Sequence, residues 1–158
     1  MNRGHQKVYA FAGGIPEWRT FNYPMVINQE WKKIKVNKFS PKALKQILDN
    51  ENPYILDVRP LDYQWNTSFL KGSVRCPLVF FFDRYKELPI DRIIVITDGA
   101  MKQSTIAAKF LITKGYKVMG VLKGGVERWE TEGFPVEERA STRELGAFTE
   151  GKHRKELE

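Results

Sequence analysis

The pattern of hydrophobic and polar residues in this chain alternates between the period of a buried strand and that of an amphipathic helix. Short apolar runs are typical of strands that are buried on both faces of a parallel sheet. The runs expected to form such strands are 54–58, 74–76, 93–97 and 117–122. The helical segments expected after these strands are 61–67, 78–88, 104–114 and 126–132. Strands that alternate with helices indicate a parallel α/β sheet with right-handed connections.

Two helices carry further local predictions. One should begin at Pro41, because proline is favourable at the first helical position and Ser40 before it is a favourable N-cap. The other contains three consecutive phenylalanines at 80–82. A helix cannot place three adjacent rings on one face, so at least one of them should be partly exposed.

The segment 92–110 places a loop between the carboxyl end of a strand and the amino end of a helix. The strand should end at Thr97, Gly99 interrupts the pattern, and the helix should begin at Ser104. In open α/β sheets, ligands bind in this crevice, and the backbone N–H groups and the helix dipole favour an anion there. Asp98 is the residue placed to use such a site.

Composition limits the classes of function. With 158 residues, 42% of them hydrophobic, the chain suits one globular domain and a surplus segment. No apolar run approaches membrane-spanning length, so we expect no membrane partner. A single cysteine excludes an internal disulfide and a cysteine-built metal site, and it does not identify the compartment. The net charge of +7 is scattered, which favours a solvated surface over nucleic-acid binding.

Four stretches in order resemble motifs of the rhodanese-like domain family. They are 54–59, 71–77, 97–104, and 123–129 followed by 133–136. Together they extend over 36–136, and four motifs at the right spacing are far more specific than any one of them. The resemblance implies a parallel sheet flanked by helices on both faces. It also implies an activity, since family members move sulfane sulfur through a persulfide on a loop cysteine.

The loop itself departs from the family pattern. The usual Cys-x-x-Gly-x-Arg-Ser, aligned on Ser104, places Asp98 at the cysteine, Met101 at the glycine and Gln103 at the arginine. The degenerate loop consists of Asp98, Gly99, Ala100, Met101, Lys102, Gln103 and Ser104. A persulfide needs a thiolate, so we expect no catalytic residue, no cofactor and no metal in this domain.

Asp98 has two possible roles. Its carboxylate can accept hydrogen bonds from the loop's own N–H groups, as a bound anion would. Alternatively it can act as a general base or metal ligand, which requires a partner that is not visible nearby in sequence. We favour the first role. Binding of an exogenous anion by the loop is a further, weaker expectation.

Three other residues have less specific roles. Cys76 lies in the predicted strand 74–76, between Val74 and Leu78, so we expect a buried core residue rather than a nucleophile. The resemblance implies that Asp57 and Arg59 support the active-site region from a neighbouring strand. A buried Asp–Arg pair at a strand end is equally expected as scaffold.

A partial repeat explains the surplus length. Positions 13, 18 and 24 are Gly, Trp and Pro, as are 124, 129 and 135, a constant offset of 111 residues. We therefore expect 1–25 to be the last strand (8–11) and helix (15–21) of a preceding rhodanese-like unit. A linker at 26–35, the domain at 36–136 and a disordered charged tail at 137–158 would follow.

The sequence thus predicts a rhodanese-like domain that lacks sulfurtransferase activity and acts as a structural or binding unit. Its expected partner is an upstream rhodanese domain of the same parent chain, or a second copy of this one. The alternative is that the chain belongs to a thiosulfate or polysulfide sulfurtransferase whose catalytic cysteine lies in an upstream tandem domain. Rhodanese-related phosphatases also need the loop cysteine, so the same substitution disfavours that class.

Overall fold

The computed structural model describes residues 7, 9–26, 28–60 and 68–138. The chain divides into two compact units, 1–32 and 33–158. The predicted helical turn at 61–67 and most of the predicted charged tail lie outside the described residues. None of the described helices is long and apolar enough to cross a membrane.

The first unit is a short helical segment. Helix α1 spans Gly14–Thr20, as predicted, and α2 spans Gln29–Lys33, within the stretch expected to be a linker. The prediction of a strand at 8–11 is wrong for the described residues 9–11, which have no strand structure. A strand requires a neighbouring strand to bond its N–H and C=O groups, and this unit contains none in its described part.

The second unit contains a five-stranded parallel sheet. The described strands are β1 Lys38–Phe39, β2 Tyr54–Asp57, β3 Ser68–Phe69, β4 Val74–Arg75, β5 Ile94–Thr97, β6 Val118–Leu122 and β7 Glu137–Glu138. The order in the main sheet is β1-β6-β5-β2-β4, so the long central strands have neighbours on both sides. Their sequences are continuous apolar runs, as expected of strands that are buried on both faces of a sheet.

Helices cover both faces of this sheet. They are α3 Pro41–Asn50, α4 Leu78–Arg84 with a 3₁₀ turn at Tyr85–Glu87, α5 Ser104–Thr113 and α6 Gly125–Thr131. Alternate residues of β5 point to opposite sides: Ile94 and Ile96 join the core formed with α4 and α5, whereas Val95 joins the core formed with α3 and α6. This alternation confirms the predicted α/β class with helices on both faces.

Both local helix predictions are confirmed. The Ser40 hydroxyl accepts a hydrogen bond from the N–H of Ala43 at 3.3 Å and caps α3. In α4, Phe81 is fully buried, while Phe82 is 52% exposed. The burial of the middle ring and the exposure of its neighbour follow from the 100° rotation between successive helical residues.

A second, two-stranded sheet was not predicted. Strand β3 pairs with β7 in antiparallel register, with Ser68 opposite Glu138 and Phe69 opposite Glu137. The first two residues of the segment expected to be disordered therefore form a short strand. Their charged side chains gave no strand signal, because this pairing depends on a neighbour that is distant in sequence.

Candidate functional site

The candidate site is a cleft of about 150 Å³ at the carboxyl end of β5. Strand β2 lies beside β5 with Asp57 opposite Thr97, so the residues that follow both strands meet at one edge of the sheet. The lining residues are Arg59, Pro60, Asp98, Gly99, Ala100, Lys102, Gln103 and Glu127. The cleft is therefore at the position where parallel sheets bind ligands.

The Asp98 carboxylate is bonded to its own loop. One oxygen accepts a hydrogen bond from the N–H of Met101 at 2.5 Å, and the other accepts from Gln103 at 2.5 Å and Ser104 at 2.8 Å. The residue is only 2% exposed. These are the contacts expected of a carboxylate that accepts the hydrogen bonds of the loop N–H groups in place of a bound anion.

Met101 adopts a backbone conformation that glycine favours. Its φ is +61°, and it stands where the family pattern has glycine. The turn therefore keeps a left-handed residue without the glycine that adopts it at least cost. The side chain of Met101 is partly buried and packs against the core shared with α4 and α5.

The amino end of α6 holds the loop from the other side. The N–H of Val126 donates to the carbonyl of Asp98 at 2.8 Å, and the N–H of Glu127 donates to that of Gly99 at 3.1 Å. Gly125 has a φ of +64°, and a Cβ there would come within 2.1 Å of the Gly99 carbonyl oxygen. Helix and loop approach so closely that only glycine fits between them.

Asp57 and Arg59 form a buried ion pair beside the cleft. Arg59 Nη2 lies 2.6 Å from Asp57 Oδ2, and Arg59 Nε donates to the same oxygen at 2.9 Å. The Arg59 backbone N–H donates to Oδ1 at 3.0 Å. Since Asp57 is fully buried and Arg59 is 1% exposed, neither charge is solvated and each depends on the other.

Arg59 also links neighbouring strands. Nη2 donates to the Ser68 carbonyl at 2.8 Å, and the guanidinium lies 4.6 Å from the ring centre of Phe69. Arg75 on β4 donates to the carbonyl oxygens of Arg59 and Pro60. Within the described residues, Nη1 of Arg59 is buried without a hydrogen-bond partner. The pair therefore fixes the chain that leaves β2 along one side of the cleft.

Cys76 is a core residue, as predicted. It is fully buried among the side chains packed with α4 and α5. Burial raises the pKa of its thiol to about 11, which the positive charge of Arg84 only partly offsets. A buried, protonated thiol is neither accessible nor nucleophilic at neutral pH.

Two lining residues, Pro60 and Glu127, were not predicted. Glu127 is a second carboxylate near the loop, brought there by α6 from a position distant in sequence. Its only sequence signal is its place two residues after the Gly124-Gly125 pair, which allows the start of α6 to approach the loop closely. Met101 and Ser104, by contrast, belong to the loop but do not line the cleft.

The described lining residues include amide, carboxylate, lysine and arginine groups but no thiol and no imidazole. Among the described residues, no group of three or more His, Cys, Asp and Glu side chains could hold a metal ion. Both oxygens of Asp98 are engaged by backbone N–H groups. The arrangement provides hydrogen bonding and mixed charge at its rim, without a described thiol that could carry a persulfide.

Comparison with known proteins agrees with this geometry. A sequence profile of the rhodanese-like domain matches residues 40–132, more than half of the chain. A sulfurtransferase of Allochromatium vinosum is 28% identical over 103 residues, which cover 64% of this chain and 94% of that protein. A tRNA uridine(34) hydroxylase of Staphylococcus epidermidis is 26% identical over 114 residues, 65% of this chain but only 35% of the hydroxylase.

The fold has counterparts among solved structures. The crystal structure of a rhodanese-related protein from Thermoplasma volcanium superposes with a TM-score of 0.58 at 22% sequence identity. The match covers 64% of this chain and 97% of the other. At that identity the likeness shows the fold alone.

Proposed function

The chain belongs to the rhodanese-like domain family, and on that premise we propose that its domain does not transfer sulfur and serves as a structural or binding module. The observation that carries the proposal is that the Asp98 carboxylate accepts hydrogen bonds from the loop N–H groups of Met101, Gln103 and Ser104. A sulfurtransferase of this family would hold its thiolate or persulfide at the same place.

The chemistry of sulfur transfer explains why this substitution matters. A thiolate attacks the sulfane sulfur of thiosulfate, sulfite leaves with the electron pair of the broken S–S bond, and the enzyme keeps a persulfide. A carboxylate forms no stable equivalent of that persulfide. Gln103, at the family's arginine position, also lacks the positive charge that would attract thiosulfate and lower the pKa of a thiol.

No other described thiol can replace the missing one. Cys76 is the single cysteine of the chain, it is fully buried, and its pKa is raised. It belongs to the core of the sheet and is absent from the lining of the cleft. The domain therefore keeps the scaffold of the family and loses its reaction.

Purified protein should show no thiosulfate:cyanide sulfurtransferase activity above that of a heat-denatured sample. The expected reason is the lack of a thiolate at position 98. Thiocyanate formation is measured over a range of thiosulfate concentrations, with an active sulfurtransferase as positive control. Cys76→Ser is measured in parallel and should behave like the wild type. Robust turnover that survives Cys76→Ser would contradict the proposal, and turnover lost with that change would make Cys76 the nucleophile.

The second candidate function is that of a non-catalytic domain within an active sulfurtransferase. The repeat of the closing Gly, Trp and Pro positions favours a parent protein with an upstream rhodanese-like unit. The sulfurtransferase relative favours a competent cysteine in such a unit. The domain described here would then support an active neighbour. Sequencing the reading frame upstream of residue 1 separates the two candidates, because the second requires a complete unit with a loop cysteine there.

A further inference from the structure

The first unit reproduces the geometry of the element that closes the domain. Trp18 Nε1 donates to the carbonyl of Pro24 at 3.1 Å, and Trp129 Nε1 donates to that of Pro135 at 2.9 Å. The aromatic residue before each proline packs on the tryptophan with ring centres 4.9 Å apart in both cases. The offset of 111 residues found in the sequence thus holds for the hydrogen bonds and ring contacts.

The backbone follows the same correspondence. The N–H of Tyr23 bonds to the Trp18 carbonyl at 3.2 Å, as that of Phe134 bonds to Trp129 at 3.1 Å. The left-handed residue before each aromatic is Asn22 with φ +53° and Gly133 with φ +77°. These agreements extend from the tryptophan to the proline, so the helix ends and the turns that follow them share one structural motif and are not a chance match of residue types.

The two copies differ in what covers them. Trp129 is 2% exposed and packs in the core that includes Leu44, Ile55 and Leu122. Trp18 is 36% exposed and Ile15, which corresponds to buried Val126, is 60% exposed. The first unit therefore has the inward face of a closing element without the core that such a face covers in the domain.

The sequence differences between the two copies depend on whether the helix position is buried in the domain. The exposed Glu127 and the half-buried Arg128 and Glu130 are replaced by Pro, Glu and Arg in the first unit, so two of the charges are reversed. Gly125 and Trp129, which are buried, are unchanged, and Val126 becomes isoleucine. Within the helix, the buried positions 125, 126 and 129 keep the same or a similar residue, whereas the charged positions 127, 128 and 130 do not. This is the pattern expected if the first unit also covers a core.

We propose that residues 9–26 form a docking surface for a rhodanese-like sheet that lacks its own last strand and helix. Ile15 and Trp18 fill that sheet's core as Val126 and Trp129 fill this one. Residues 9–11, which correspond to 120–122 of β6, pair between two strands as β6 pairs between β1 and β5. A second copy of this chain is the less suitable occupant, because its equivalent pocket is already filled by Trp129. This inference does not depend on the loss of sulfur transfer.

A graft within the full chain tests whether the segment can close a rhodanese-like core. Residues 124–136 are replaced by the sequence of residues 13–25, which has the same length. The grafted chain should unfold in a single cooperative urea transition, because the inward residues are preserved. A matched control carries the same thirteen residues in reversed order and should have no cooperative transition.

A second graft removes the effect of the proline that the first graft introduces at position 127. The first graft includes Glu127→Pro, which removes the N–H that bonds to the Gly99 carbonyl. The second therefore keeps Glu127 and is otherwise identical. Adding Trp129→Ala to this graft should abolish its cooperative transition. Absence of a transition in both grafts, or indifference to Trp129→Ala, would overturn the proposal.

Light scattering of the unmodified chain tests whether a second copy is the occupant. The proposal expects a monomer, since the pocket in each copy is filled. A dimer that disappears in the Trp18→Ala variant would overturn it, because the docking surface would then be shown to bind a second copy.

Discussion

Replacing Gly125 with alanine should lower the free energy of unfolding of the domain by about 4 kcal/mol. Two costs combine at this residue. Its φ of +64° is unfavourable for any L side chain, and the new Cβ would lie 2.1 Å from the Gly99 carbonyl oxygen and 2.4 Å from that of Asp98. Both neighbours are backbone atoms, so relief requires α6 and the loop to separate. Urea unfolding monitored by circular dichroism measures the loss.

Gly133→Ala is the matched control for Gly125→Ala. Gly133 has a φ of +77°, and nothing lies within 4 Å of a Cβ built there. Only the conformational cost remains, about 1 kcal/mol. Equal losses in the two variants would mean that the contact between α6 and the loop is looser than the structure shows.

The second large effect is expected from Asp57→Ala, at about 4 kcal/mol of unfolding free energy. The change leaves the guanidinium of Arg59, 1% exposed, without its carboxylate. An unpaired buried charge costs far more than the pair contributes when intact. The variant should also release the chain that follows β2, which lines the cleft at Arg59 and Pro60.

Glu87→Ala provides the comparison for Asp57→Ala. Arg84 and Glu87 also form a close pair, at 2.8 Å, but the Glu87 side chain is 49% exposed. Solvent screens this pair, so its loss should change the free energy of unfolding by less than about 1 kcal/mol. The same denaturation experiment serves both variants. A loss for Asp57→Ala as small as that for Glu87→Ala would show that the buried pair is not needed by the fold.

Much of the fold could be predicted because its signals are local. The apolar runs of β5 and β6 and the cap at Ser40 are each contained within a few residues, and the structure confirms them. The missed strands are two residues long. Strands β1, β3 and β7 exist through pairing with distant residues, which neither propensity nor period can report.

The predicted strand at 9–11, which the structure does not contain, shows the same dependence on distant pairing. Its sequence suits a strand and corresponds to part of β6, but the described first unit offers no strand to pair with. Strand structure depends on neighbours as well as on side chains. In the proposed docking, the partner sheet would supply these neighbours.

The site was predictable in its residues and less so in its geometry. The family motif identified the loop and placed Asp98, Met101 and Gln103 at its altered positions. The left-handed conformation of Met101 and the arrival of Glu127 at the cleft depend on how α6 packs against the loop. That packing is a tertiary effect, and the glycine pair at the start of α6 was its only sign in the sequence.

The central claim is that the loop keeps the shape for persulfide chemistry and that Asp98 prevents it. The most direct measurement is the intact mass of three proteins after thiosulfate treatment: the wild type, Asp98→Cys, and Asp98→Cys with Gln103→Arg. The account predicts a gain of about 32 Da, one sulfur atom, in the double variant, a smaller yield in the single variant, and none in the wild type. A gain in the wild type, or no gain in the double variant, would contradict it.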